Sequence, residues 1–185
     1  MKIRILIMIV ITLVSCKKEI ETQSENAEIN ESETLQKTAK IQNENKDNDT
    51  IEISQKHKIN KILCDLDGDK LNETVEIVKG TKSGKSGLRI IFGNGKRTDY
   101  FGMGNNILEQ GFDEIDWAEI FEKAPKNETY WNNVNDDGEI LSEEEINEVD
   151  KIKLLNDGIF MHALESCGGG IIYLKNGKYE WIQQE

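Results

Sequence analysis

The sequence predicts a mostly β protein (α+β), with antiparallel sheets built from hairpins and one or two short helices. Three observations predict this. Short apolar runs bounded by turn residues fill the chain after about residue 57, and Asn-Gly pairs stand between such runs at 94–95 and 176–177. Only one segment, Ser142 to Val149, carries helix-start chemistry.

In chain order, Lys58 to Cys64, Glu73 to Lys79 and Leu88 to Phe92 read as the first three strands. Asn94-Gly95 then turns the chain into Arg97 to Phe101, because this pair supplies the positive φ angles of a tight hairpin. Asp113 to Glu122 reads either as a strand, with Ile115, Trp117 and Phe121 roughly on one side, or as a short helix. In the segment from 142, Ser142 caps, Glu143 to Glu145 sit at the positive end, and Ile146 and Val149 face inward. Gly158 to Leu164 leads through Gly168-Gly169-Gly170 into Ile171 to Lys175, and Asn176-Gly177 turns it into Tyr179 to Ile182. The likeness of 90–96 to 171–178 fits either two related hairpins or convergence on good turn chemistry.

The N-terminal third has a different character. A basic start, Met1 to Arg4, precedes an apolar run from Ile5 to Val14 broken by Thr12. That is the pattern of an export signal, and the run is shorter than the roughly 20 apolar residues a membrane span needs. Residues 17–56 contain no aromatic, glycine, proline or cysteine, and all 12 aromatic residues lie beyond them. Such a segment buries too little apolar surface to offset its ordering entropy. The expected organisation is therefore a signal peptide over 1–15, Cys16 with a flexible polar tether to 56, and one β-rich domain over 57–185.

The net charge is −12, of which −10 falls on 57–185 once the +2 of 1–15 and the −4 of 17–56 are set aside. Nucleic acid is therefore not an expected partner, since phosphate binding needs a basic surface. Divalent cations or basic proteins suit this field better.

Leu13-Val14-Ser15-Cys16 resembles the lipobox of bacterial lipoprotein precursors. The resemblance implies cleavage before Cys16, lipidation of that cysteine with diacylglycerol and palmitate-type acyl chains, and anchorage in the cell envelope. Each buried methylene contributes roughly 0.8 kcal/mol, so two or three chains hold a protein on a membrane. Lys17 and Lys18 follow the cysteine in place of the Asp that often marks inner-membrane retention, which favours the outer membrane, with the domain periplasmic or surface-exposed.

Two acidic loops follow. In the first, Asp65, Asp67 and Asp69 alternate around Gly68 and lead to Leu71 and Glu73. Calcium takes six to eight oxygen ligands at about 2.3–2.6 Å, and closely spaced carboxylates repel unless a cation joins them. The stretch resembles the calcium loop of FG-GAP and VCBS repeats, with Lys70 in place of a common glycine and Glu73 in place of the usual Asp. The resemblance implies side-chain oxygens from Asp65, Asp67, Asp69 and Glu73 and the carbonyl of Leu71. One copy is present, so length rules out a propeller of such repeats. The second stretch, 133–144, resembles an EF-hand loop, although Asn133 stands where Asp is usual. By that resemblance Asn133, Asn135, Asp137 and Glu144 give side-chain oxygens, Glu139 gives its carbonyl, and Ile140 points to the core.

With Cys16 committed to lipid, Cys64 and Cys167 remain. An oxidising envelope would allow a disulfide between them; an unpaired buried cysteine, or a nucleophile at Cys167 near His162, are the alternatives. Gly80 to Ser86 looks like a phosphate loop but has three residues between its glycines where four are needed, and a strand follows. It reads as a basic hairpin turn, and nucleotide is not an expected ligand. His57 sits at the tether's edge, and His162 reads as a structural histidine in an apolar strand. No His/Cys/Glu cluster suggests zinc, and no pair of carboxylates is singled out for catalysis.

These features point to a non-enzymatic, calcium-stabilised binding module held on the envelope by lipid and tether, with a protein or glycan partner. The alternatives are an envelope inhibitor or immunity lipoprotein acting on a toxin or hydrolase, and a lipoprotein hydrolase.

Overall fold

The computed structural model describes residues 49–135, 137–165 and 168–185. The chain divides into two units, Met1–Asn45 and Lys46–Glu185, and every described residue belongs to the second. The signal segment, Cys16, most of the expected tether, Asp136 and Cys167 lie outside the described residues.

The described unit is mostly β, and its sheets are antiparallel as the sequence predicts. The first sheet is organised by its longest strand. Strands β1 (Ile51–Ile53) and β2 (Lys61–Cys64) share one edge of β3 (Glu73–Gly80), with Ile53 opposite Val78 and Lys61 opposite Glu76. The other edge of β3 pairs with β4 (Ser86–Ile91), which pairs with β5 (Thr98–Gly102).

The second sheet runs in the order β11 (Lys178–Gln184), β10 (Gly169–Lys175), β9 (Gly158–His162) and β6 (Ile120–Ala124). The β10–β11 turn is the one the sequence predicts. Asn176 and Gly177 both have positive φ, 51° and 78°, and Lys175 pairs with Lys178 across them. A small third sheet pairs β7 (Thr129–Tyr130) with β8 (Ile152–Lys153).

Two apolar clusters join these sheets. Val75, Ile77, Leu88 and Ile90 from the first sheet meet Phe121, Ile159, Met161 and Ile172 from the second, and Ile107 and Ile115 from the intervening loop join them. The opposite face of the second sheet packs Ala124, Ile171, Tyr173 and Ile182 against Leu154, Tyr130 and Ile152. The second sheet is thus covered on both faces. Its central strand β10 consequently reads as a continuous apolar run from 169 to 173, without the alternation of a half-exposed strand.

Three expectations are corrected. The folded part begins before residue 57: Ile51–Ile53 is a strand, and the N–H of Ser54 donates to the Ile77 carbonyl at 2.9 Å. Asp113 to Glu122 is neither helix nor one strand. It is a loop whose Ile115 N–H donates to the buried Ser86 hydroxyl at 3.0 Å, and β6 starts only at Ile120. The predicted helix from Ser142 is two 3-10 turns, Glu143–Glu145 and Glu148–Asp150. Ser142 does bond the Glu145 carboxylate, through N–H and hydroxyl at 2.9 Å each, but Val149 is 90% exposed. With no apolar face to bury, the segment has no packing to extend a costly helical nucleus.

No helix among the described residues is long and apolar enough to cross a membrane.

Candidate metal centre

The first acidic loop is the connection between β2 and β3. These strands end in register at Cys64 opposite Glu73, so the eight residues between them must close on themselves. Closure uses left-handed backbone at Gly68 (φ 81°) and Lys70 (φ 71°). Glycine is needed at 68 for a second reason, because a Cβ there would stand 2.6 Å from the Asn156 side-chain oxygen. The Asp65 carboxylate caps the turn, accepting the Gly68 N–H at 2.9 Å and the Lys70 N–H at 3.4 Å.

The register also turns Glu73 inward. It lies on the same face of β3 as Val75 and Ile77 and is fully buried. Its carboxylate accepts the Leu66 N–H at 2.5 Å and the Gly93 N–H at 3.3 Å. Asp65, Asp67 and Glu73 thereby bring carboxylate oxygens within 4.8 Å of one another, Asp65 and Glu73 buried and Asp67 exposed. Among the described residues this is the group of His, Cys, Asp or Glu side chains that could hold a metal ion.

Burial raises the Glu73 carboxyl above the usual carboxylate range, and the charges of Asp67 and Asp69 push the same way against the Leu66 and Gly93 N–H groups. A cation at this point would relieve that repulsion. Cys64, at the base of the loop, is a buried free thiol pushed up to about 12 by burial and by the negative charges of Glu73 and Asp157.

Asp69, an expected side-chain ligand, is not part of the group. The Leu71 N–H donates to Asp69 Oδ1 at 2.7 Å, and Asp69 Oδ2 faces the Asn94 amide at 3.5 Å. The loop is instead braced by residues that sequence reasoning missed. Asp157 Oδ2 accepts the Asp65 N–H at 3.1 Å, and the Asn156 amide donates to the Leu66 carbonyl at 3.2 Å. Lys126 Nζ lies 3.6 Å from Asp65 Oδ2. Nothing near 65 in the sequence signals partners some ninety residues away.

The second acidic loop is a different object. Asn133 is drawn to the chain's end: its amide donates to the Glu185 carbonyl at 3.0 Å and its Oδ1 accepts the Glu185 N–H at 2.8 Å. Asn135 Oδ1 accepts the N–H groups of Asp137 and Glu139, at 3.0 and 2.9 Å. The Glu139 carbonyl accepts the Asn135 N–H at 3.1 Å. Glu144 sits exposed in the first 3-10 turn, and Ile140 is 58% exposed, which overturns its expected place in the core. Val134 and Ile140 form an antiparallel bridge, and within it Asn135 Oδ1 serves the amides of its own turn. Among the described residues, the carboxylates of Asp137, Glu139 and Glu144 form no metal-ligating group.

The expected disulfide between Cys64 and Cys167 is not seen: Cys64 is free, and Cys167 lies outside the described residues. His162 has Nδ1 2.6 Å from the Ala163 carbonyl and its ring stacked near Phe160. His57 is buried, with Nε2 3.5 Å from Asp116 Oδ1. The phosphate-loop lookalike does hold an anion, but an internal one. Asp49 accepts the N–H groups of Lys82 at 2.7 Å and Ser83 at 3.1 Å.

No family model, characterised protein or solved structure matches the chain.

Proposed function

We propose that the chain is an envelope lipoprotein, lipidated at Cys16 and held on the outer membrane, whose β-rich unit is a non-enzymatic binding module stabilised by calcium. The observation that carries the calcium reading is the convergence of Asp65, Asp67 and Glu73 within 4.8 Å, with Glu73 fully buried. Three carboxylates on a short loop form a hard, anionic, all-oxygen donor set, which favours calcium or magnesium over softer metals. Exposed Asp67 leaves room for waters to complete a coordination sphere, and the flexibility of a loop suits calcium better than the strict octahedron of magnesium.

The lipid anchor rests on Leu13-Val14-Ser15-Cys16 after a short apolar run. Intact mass of the membrane-extracted protein tests it: loss of residues 1–15 with added diacylglycerol and acyl mass supports the anchor, and an unmodified Cys16 removes it.

Calcium titration calorimetry on the chelator-treated chain, with melting curves in parallel, tests the metal reading. Saturable heat and a higher melting temperature are expected, both lost in Asp67→Ala. Absence of both in the unmodified chain would reduce the loop to an acidic turn.

A further inference from the structure

A cavity of about 310 Å³ opens between the loop following β5 and the neighbouring strands β10 and β11, far in sequence from the acidic loop. Phe112, Trp117 and Trp181 form its aromatic wall, with Gln110, Gln183 and Gly169 beside them. Phe112 stands edge-on to both indoles, at centroid distances of 5.1 Å from Trp117 and 5.7 Å from Trp181. Gly170 admits this arrangement, because a Cβ there would stand 2.2 Å from Trp181 Cζ2.

The polar inventory is specific. Both indole N–H groups are already used, Trp117 donating to the Glu114 carbonyl and Trp181 to Gln183 Oε1, each at 2.9 Å. What the indoles offer a ligand is therefore ring surface. The Gln110 amide N–H donates to the Leu108 carbonyl at 2.9 Å, which leaves its Oε1 as the acceptor this lining residue can offer. Among the described residues no lining side chain is charged, in a chain of net charge −12.

We propose that this cavity binds an uncharged saccharide. Sugar rings present C–H faces, which rest on the electron-rich faces of aromatic rings, and hydroxyl groups that donate to amide oxygens. A charged ligand would enter a site with no counter-charge, at a desolvation cost. A wholly apolar ligand would bury Gln110 Oε1 unpaired. A proline-rich peptide needs donors for its carbonyls, and the indole donors are internally satisfied. The volume lies at the lower end of small-molecule sites, the scale of one or two sugar rings. This inference deepens the binding-module reading by naming its ligand class, and rests on that reading without requiring the metal.

The test is a tryptophan-fluorescence titration of the full chain with maltotriose, cellotriose and chitotriose, and with decaproline as the competing class. A saturable response to at least one trisaccharide is expected, weakened about tenfold in Trp181→Ala, as the loss of one stacked ring implies. Gln110→Ala, an exposed position whose change leaves the core untouched, is expected to weaken it about fivefold. That second variant carries the test if Trp181→Ala fails to fold. No response to any trisaccharide, a response unchanged in Gln110→Ala, or a response to decaproline alone would overturn the proposal. Because the calcium reading is scored by heat and melting temperature, either can fail while the other stands.

Discussion

Asp65 and Asp157 hold each other by a reciprocal exchange: the Asp65 N–H donates to Asp157 Oδ2 at 3.1 Å, and the Asp157 N–H donates to the Asp65 carbonyl at 3.0 Å. The same Asp157 carboxylate accepts the Lys126 N–H at 3.1 Å. One buried side chain therefore locks the acidic loop of the first sheet to the segment entering β9 of the second. Asp157→Ala leaves two main-chain donors without their acceptor, and a loss of about 2–4 kcal/mol is expected from the shift in denaturant midpoint. Burial pushes the Asp157 carboxyl up, but the Asp65 and Lys126 N–H groups and the Lys123 ammonium outweigh it and hold it below the usual range. Its contribution is therefore complete above the unfolded-state pKa and is lost as pH falls through the lower folded value.

Glu73 has the opposite sign. Its carboxyl is raised by burial, so the metal-free folded state binds the proton more tightly than the unfolded chain. Stability of the metal-free protein then falls as pH rises from the ordinary glutamate range through the raised value. Glu73→Gln removes that penalty, and its metal-free melting temperature at neutral pH is expected to rise by about 2–4 °C while the calcium-induced rise disappears. A lower metal-free melting temperature would show that hydrogen bonds to Leu66 and Gly93, and not charge, govern the site.

Asp49 fixes the start of the described fold. The Lys82 N–H, the Ser83 hydroxyl and N–H, and the Thr81 hydroxyl hold its carboxyl at about 2. Hydrogen exchange at Lys82 and Ser83, and at the β1 amides, is expected to speed up in Asp49→Asn. The unmodified protein should show the same loosening as pH falls from the ordinary aspartate range towards about 2. Unchanged exchange at Lys82 and Ser83 in the variant would remove Asp49 from this role.

Cys64 is expected to be inert in the native protein. With its thiol pushed up to about 12 and the residue fully buried, it has almost no thiolate and no access to reagent. Maleimide labelling mapped by mass spectrometry should mark Cys64 only after denaturation. Labelling at the native rate of a small thiol would mean that β2 opens freely.

How far the sequence could be read depended on how local each feature is. The strand 73–80, the Asn176-Gly177 turn and the Asp65–Glu73 loop are each defined within a few residues, and each appears close to where the residues imply. The Ile51-Glu52-Ile53 alternation was the available signal for β1, but three residues beside a polar stretch carry little weight alone. They form a strand because β3 is long enough for β2 and β1 to share its edge. The helix expected from Ser142 had good capping chemistry and no buried face, which only packing could reveal.

The two acidic loops mark the division most sharply. Spacing alone made both candidates, since alternating carboxylates around a glycine present several oxygens to one point. The sequence by itself determined the Asn176-Gly177 turn, the short apolar runs that make strands, and the acidic loop between β2 and β3. At Asn94-Gly95 only Gly95 takes a positive φ, and the Phe92 N–H donates to the Arg97 carbonyl across a longer loop than the expected tight turn. The tertiary structure decided which acidic loop gathers its oxygens. Antiparallel register buries Glu73 beside Asp65 and Asp67, and Asp157 braces them from the other sheet. At the second loop Glu185 takes the Asn133 amide, and Asn135 Oδ1 bonds the Asp137 and Glu139 N–H groups. The physical reason is that an oxygen's partners are set by proximity in space, and register and sheet packing set that proximity beyond the reach of local spacing.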